Sequence, residues 1–363
     1  MAVRFFLQLA VILLVCRAVG WFGRRYLGQT QVVMEMIAGV LLGLSLFGLL
    51  APQAQSWLFP QTAIVGEASI RHPSMSVLYV ASQLGLVLYM FLVGLEFETS
   101  LLRQKAKGAV SVSLSGIVLP FALGVLASTW MREPGVYFNE SAKAWEGAVF
   151  MGAAMCITAF PMLARIISER GLAGTTMGTL ALAAGATDDA MAWAMLAVVL
   201  SSFTSTPSYA LWAIGGGALF LCFMLLARPL LQRLEAWTQR EGTALPLFFT
   251  YSGLNTKVQL LGVGNVMAIA LVVVLFAIVG KWVGCMLAAR LAGETWRDAS
   301  AIGVLMNARG LMELIILNIG LQHGVITPTL YTVMVLMAIV TTVMASPIFA
   351  KWYGTAGARP SPG

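Results

Sequence analysis

Charge is what this sequence most lacks: only 10% of its 363 residues are charged, where a soluble domain carries about 25%. So few charges cannot cover a water-facing surface, which excludes an ordinary soluble fold. With 59% hydrophobic residues and a mean hydropathy of +0.87, the remaining solvent is lipid, where ~20 apolar residues make a helix that crosses the hydrocarbon. Cysteine is also scarce. Cys16, Cys156, Cys222 and Cys285 all fall in apolar runs without metal-ligand spacing and read as small packing residues. The two histidines, His72 and His323, are widely separated and fall in expected loops.

Apolar runs between charged or Pro/Gly-rich breaks predict spans near 5–20, 32–51, 77–97, 108–129, 146–166, 175–203, 207–230, 244–262, 266–289, 299–322 and 329–350. The first is short, yet it lacks a small-x-small cleavage site and reads as a retained helix. Alternating these spans from an outward N-terminus puts 15 Lys and Arg residues in inward loops and 5 in outward ones. Lys281 and Arg309 are left inside spans. The net charge of +7 therefore reads as a topology signal: N-terminus outside, C-terminus cytoplasmic, no nucleic-acid footprint.

An internal repeat shows in G-L-x5-L-L, at Gly94–Leu102 and again at Gly253–Leu261. Two spans further on in each case stands an interruption, Thr158-Ala159-Phe160-Pro161 and Asn307-Ala308-Arg309-Gly310. By the topology above, both pairs run antiparallel. Paired broken helices in opposed repeats are the pattern of a secondary transporter whose site lies near the midplane. The second repeat is short, with about two spans lacking between Arg240 and Pro246.

Charges inside spans cost roughly 2.5–3.5 kcal/mol each on insertion scales, so Glu35, Asp188, Asp189, Lys281, Arg309 and Glu313 are the informative residues. Adjacent Asp188 and Asp189 point about 100° apart on a helix and feel each other's field. A carboxylate taken out of water beside another holds a proton more readily, and gives it up when a cation arrives. One site then binds H⁺ or a monovalent metal ion, never both. Lys281 either pairs with one of the aspartates or snorkels to the interface. Pro161 disfavours helix at Phe160, which is expected to free backbone carbonyls that coordinate a cation with the Thr158 hydroxyl. Arg309 and Glu313, four apart, share a helix face and read as a structural ion pair. Glu35 reads as structural or interfacial.

The motifs I-T-A-F-P-M-L-A-R-I-I-S-E-R-G-L (157–172), A-T-D-D-A-M-A-W (186–193), G-K-W-V-G (280–284) and M-N-A-R-G-L-M-E-L-I-I-L-N-I-G (306–320) resemble those of the second family of monovalent cation/proton antiporters. Met34-Glu35 with A-G-V-L-L-G (38–43) and F-L-V-G-L-E (91–96) extend the resemblance to nearly the whole chain. Thr30, Met34 and Leu44 depart from the family's usual prolines and glycine. The resemblance implies an all-α membrane protein with the inverted-repeat antiporter fold and two crossing broken helices. It further implies a homodimer of thirteen-span subunits, against about eleven spans here. Asp189 would be the obligatory cation- and proton-binding carboxylate, Asp188 the second acid of electrogenic members, paired to Lys281, and Thr158 would line the crossing.

These readings give dimerisation-side spans in 1–103, a first core repeat in 104–206 and a linker span with a shortened bridge in 207–245. One remaining dimerisation-side span follows in 246–265, a second core repeat in 266–350 and a short cytoplasmic tail in 351–363. The expected function is exchange of Na⁺ or K⁺ for protons across the cell inner membrane, with no enzymatic step and no cofactor. Its partners are small cations, protons and lipid, and the missing spans weaken the expected dimer. The alternatives are a channel or leak on the same core, or a transport-dead scaffold.

Overall fold

The computed structural model describes residues 2–65, 68–95, 99–131, 133, 135–172, 174–204, 215, 219 and 265–353. The expected span 207–230 apart from Gly215 and Leu219, the span 244–262, the shortened bridge, the Gly253–Leu261 repeat and Cys222 lie outside the described residues, as do residues 96–98 of the first repeat copy.

The described part is almost entirely helical. Helix α1 (Ala2–Phe22) runs into a π-helical turn, Gly23–Leu27, and α2 (Gln31–Leu42) returns beside it, followed by the short helices α3 (Phe47–Leu50) and α4 (Pro52–Leu58). Two four-residue strands, β1 (Thr62–Val65) and β2 (Ala68–Arg71), form an antiparallel hairpin that pairs Thr62 with Arg71. The helix-centred reading had no place for it. Then come α5 (Pro73–Leu95), α6 (Thr99–Trp130), the half-helices α7 (Ala144–Cys156) and α8 (Phe160–Glu169), and α9 (Thr176–Thr204). After the undescribed segment the chain continues as α10 (Val266–Leu291), the half-helices α11 (Trp296–Met306) and α12 (Leu311–Gln322), and α13 (Pro328–Tyr353). Among the described residues six helical segments are long and apolar enough to cross a membrane.

The core of the described residues falls into clusters. In one, Leu163, Ile166, Leu180, Ile302 and Leu305 pack together from α8, α9 and α11. In another, Phe150, Met151, Leu317, Val333 and Met337 join α7, α12 and α13. A separate cluster of Ile12, Ala38, Phe59 and Leu78 ties α1, α2 and α5. Large apolar side chains such as Leu14, Val118, Leu271 and Leu291 face outward, as lipid-facing surfaces must.

Helix α6 is the axis of the site, packing against α7, α9 and α10. Small residues bring the backbones close, as membrane helix pairs require. A Cβ placed on Gly124 of α6 would stand 2.7 Å from the Met151 carbonyl oxygen of α7. Away from the site, two loops are stitched together: Asn139 N–H donates to the Val325 carbonyl and Thr327 N–H to that of Tyr137.

Candidate functional site

Both sequence interruptions are real breaks, and they meet. Helix α7 stops at Cys156, Ile157 and Ala159 are extended, and α8 begins at Phe160. The expected role of Pro161 is thereby corrected. Phe160 is helical, and Pro161 lies in the first turn of α8, where its missing N–H would have had no partner anyway. The proline starts the second half-helix; the break lies just before it. In the other repeat α11 ends at Met306 and α12 starts at Leu311. Ala159 N–H donates to the Ala308 carbonyl at 3.0 Å. A Cβ on Gly310 would come within 3.1 Å of that of Ala159, so a residue without a side chain permits the crossing.

A helix end leaves its last carbonyls without intrahelical donors. Those of α7 were expected to face a cation, and here two buried cations of the protein hold them instead. Arg309, 1% exposed, donates from Nη2 to the Met155 carbonyl at 2.6 Å and from Nη1 to those of Ala154 and Ile157 at 3.4 and 3.3 Å. Lys281 donates to the Cys156 carbonyl at 2.6 Å. The Arg309 backbone is fixed in turn, its N–H donating to Thr342 Oγ1 and its carbonyl accepting from that hydroxyl.

Lys281 takes its second acceptor from a proline. Pro120 lies within α6 and has no N–H to donate four residues back, which frees the Gly116 carbonyl. Lys281 Nζ donates to it at 2.8 Å. The third acceptor is Asp188 Oδ2 at 2.6 Å, and both side chains are wholly buried. An ammonium has three protons, and all three are used.

Asp188 is engaged at both oxygens. Ser113 Oγ donates to Oδ1 and Thr158 Oγ1 to Oδ2, each at 2.6 Å. Three donors from α6, the first break and α10 thus converge on one carboxylate of α9. Ser113 was missed in the sequence, because a lone serine in an apolar span carries no signal there.

Asp189 differs. It is half-buried, and its buried Oδ1 has no hydrogen-bond partner among the described residues. The two adjacent carboxylates therefore differ: one is hydrogen-bonded at both oxygens, and the other has a buried oxygen without a partner. Glu313 is fully buried with its Oε2 3.9 Å from Arg309 Nη1, an ion pair without a hydrogen bond to either oxygen. Glu35 is buried on α2, away from the breaks, with its Oε1 accepting from Gln31 Nε2 at 3.0 Å. Cys156 and Cys285 are buried, free thiols beside the site.

A chain almost entirely helical among its described residues, whose two interrupted helices bond to each other beside a buried lysine–aspartate pair, has the inverted-repeat fold of a cation/proton antiporter. The sequence agrees: a model of the family described as sodium/hydrogen exchanger, transmembrane, matches residues 9–241 and 232–352. The chain belongs to this family, and is accordingly a multi-pass membrane protein. It is 35% identical to the Na⁺/H⁺ antiporter NhaS4 of Synechocystis, over 95% of this chain and 96% of that protein. It is 32% identical to Cation/H⁺ antiporter 17 of Arabidopsis thaliana, over 96% of this chain but only 48% of that longer protein. The solved structure of the sodium–proton antiporter MjNhaP1 from Methanocaldococcus jannaschii shares the fold, with a TM-score of 0.55 at 12% identity, covering 98% of this chain and 99% of that one. The alignment with NhaS4 is 407 positions long. Roughly sixty of those positions hold residues with no counterpart here, enough for two spans of ~20 residues with their connections.

Proposed function

We propose that the protein exchanges a monovalent cation, Na⁺ or K⁺, for protons by competition at Asp189, on a platform built from Asp188, Lys281 and Thr158. One observation carries the reading: of the two adjacent carboxylates, Asp188 has three internal donors while Asp189 Oδ1 has none. An open carboxylate takes a proton or a cation without first breaking a bond. One held at both oxygens has to give up a partner. The buried Asp188–Lys281 pair fixes the position of α9 against both breaks and so sets where Asp189 stands. No covalent chemistry is involved, and the protein acts as a carrier.

The relatives named as Na⁺/H⁺ and cation/H⁺ antiporters support this reading. The basic loop residues support an inner-membrane orientation with the N-terminus outside. The surplus of relative residues in the NhaS4 alignment, with the two family matches meeting at 232–241, supports the absence of two spans. On this reading the spans lost are on the dimerisation side and self-association is weaker.

The test is collapse of an imposed pH gradient in proteoliposomes on addition of Na⁺, K⁺ or Li⁺. Exchange predicts cation-dependent proton movement that persists with the membrane potential clamped. Cation flux without proton movement would indicate a channel, and neither flux a scaffold.

A further inference from the structure

The turn between α1 and α2 is tied to α8 and α13 by hydrogen bonds that the exchange site does not use. Gly28 ends the π-helical turn in the left-handed region, at φ 61°. Thr30 opens α2 without a side-chain hydrogen bond to its first turn, so the first N–H groups of α2 need acceptors from elsewhere. Gln31 N–H donates to Glu169 Oε2 at 2.6 Å, and Glu169 Oε1 accepts from Arg165 Nε at 2.6 Å. The adjacent Arg170 donates from Nη2 to the Gly28 carbonyl at 2.7 Å and to Ser346 Oγ of α13. Two successive residues at the end of α8 thus hold both sides of the turn.

Helix α13 supplies the remaining tie, again through a proline. Pro347 lies within α13 and has no N–H for the carbonyl four residues back, which frees that of Val343. The buried Gln29 donates to it from Nε2 at 2.7 Å. One residue earlier, Thr342 fixes the second break, its Oγ1 accepting from the Arg309 N–H and donating to the Arg309 carbonyl. The turn therefore grips α8, which follows the first break, and α13 beside the side chain that holds the second.

These ties differ from those of the site in what can replace them. Lys281 and Arg309 are buried, and nothing nearby substitutes for the bonds they make. Glu169, and Arg24 and Arg25 of the turn, are exposed. Exposed charges stand in water and not in hydrocarbon, and water can take over the hydrogen bonds at this end when they part. We propose that the α1–α2 turn is a latch. It holds α8 and α13 against α1 and α2 in one exposure of Asp189, and it lets go when the site turns to the other side. The latch presupposes the exchange reading, because a carrier rocks one bundle of helices against another to expose a single site to two sides in turn. Apolar contacts such as those of Val32, Val33 and Met36 tolerate sliding; hydrogen bonds, being directional, have to break.

The experiment bridges the latch. The full chain in proteoliposomes carries Cys222→Ser, with Gln29→Cys and Val343→Cys placed across a gap that the Gln29 side chain already spans; Cys16, Cys156 and Cys285 are buried and stay. A cleavable bis-methanethiosulfonate joins the two new thiols. Bridging is expected to slow cation-driven proton movement about tenfold, as blocking a conformational step does, and to leave the Kd for Na⁺ or K⁺ unchanged. Cleavage by a reductant should restore exchange, and the reagent should do nothing to either single-cysteine protein. Unchanged exchange in the bridged protein would overturn the latch and leave the exchange reading standing. Loss of cation binding together with exchange would also overturn it, since the turn would then shape the site and not its motion. A folded, unbridged protein that moves no protons would overturn both.

Discussion

The backbone N–H of Ala159 donates to the carbonyl of Ala308 at 3.0 Å, so the two interrupted helices are bonded to each other at their breaks. Two buried cations hold the chain on either side of it. Arg309 and Lys281 hold the loose carbonyls of α7, and Lys281 and Thr158 hold Asp188. Of the two aspartates, only Asp189 has a buried oxygen without a hydrogen-bond partner.

Lys281→Met should lower stability by about 3–5 kcal/mol, because a buried carboxylate then loses its countercharge. Thermal unfolding in detergent reads this directly. Adding Asp188→Leu to Lys281→Met should recover part of the loss. A Lys281→Met protein as stable as the parent would contradict the pairing as described.

The two aspartates should separate by assay. Asp188→Asn disturbs a carboxylate with three donors, and replacing one acceptor oxygen by an NH₂ group turns at least one donor against another, at a cost of roughly 1–3 kcal/mol. Asp189→Asn breaks no internal hydrogen bond and should unfold at the parent's temperature while losing exchange. Equal destabilisation by both changes would show that the asymmetry is absent in the membrane.

Arg309 and Glu313 read as an ion pair from their spacing, and they stand 3.9 Å apart, yet the guanidinium spends its hydrogen bonds on α7. Arg309→Met should therefore cost about 3 kcal/mol or more through orphaned carbonyls, and Glu313→Gln much less. The double variant should stay as unstable as Arg309→Met. If Glu313→Gln restored the stability of Arg309→Met, the pair itself would be what mattered.

Gly124→Ala places a methyl 2.7 Å from the Met151 carbonyl, against backbone that cannot swing away. Overpacking of this kind costs about 1–3 kcal/mol, here by prising α6 from α7. Unfolding temperature and protein yield in detergent check it. No change in either would mean the two helices stand further apart than described.

The charges in apolar spans and the polar or proline interruptions at 158–161 and 307–310 were legible in the sequence because lipid makes such residues costly. Among the described residues the spans near 5–20, 77–97 and 266–289 followed from the same penalty, while the one at 32–51 breaks after Leu42. The further partners of the two cations were harder to read, since they are backbone carbonyls. Nothing in the sequence near Gly116 says that Pro120 frees its carbonyl for a lysine 165 residues away. Likewise the last turn of α7 gives no sign that Arg309 will cap it. Pro161 was misread as the break because a proline both ends one helix and starts another, and only the extended backbone at Ile157 and Ala159 decides which. The hairpin at 62–71 was too short to register against the helical pattern.

The central claim is that one carboxylate holds either a proton or a cation, and cation binding measured as a function of pH tests it without requiring turnover. Binding of Na⁺ and K⁺ to the purified protein is followed by calorimetry, or by the thermal stabilisation that a ligand of the folded state confers. Competition at Asp189 predicts that the apparent Kd weakens about tenfold for each unit the pH falls below the value at which the site protonates. It also predicts that binding disappears in a folded Asp189→Asn protein. Cation binding that is indifferent to pH, or that survives Asp189→Asn unchanged, would contradict the account.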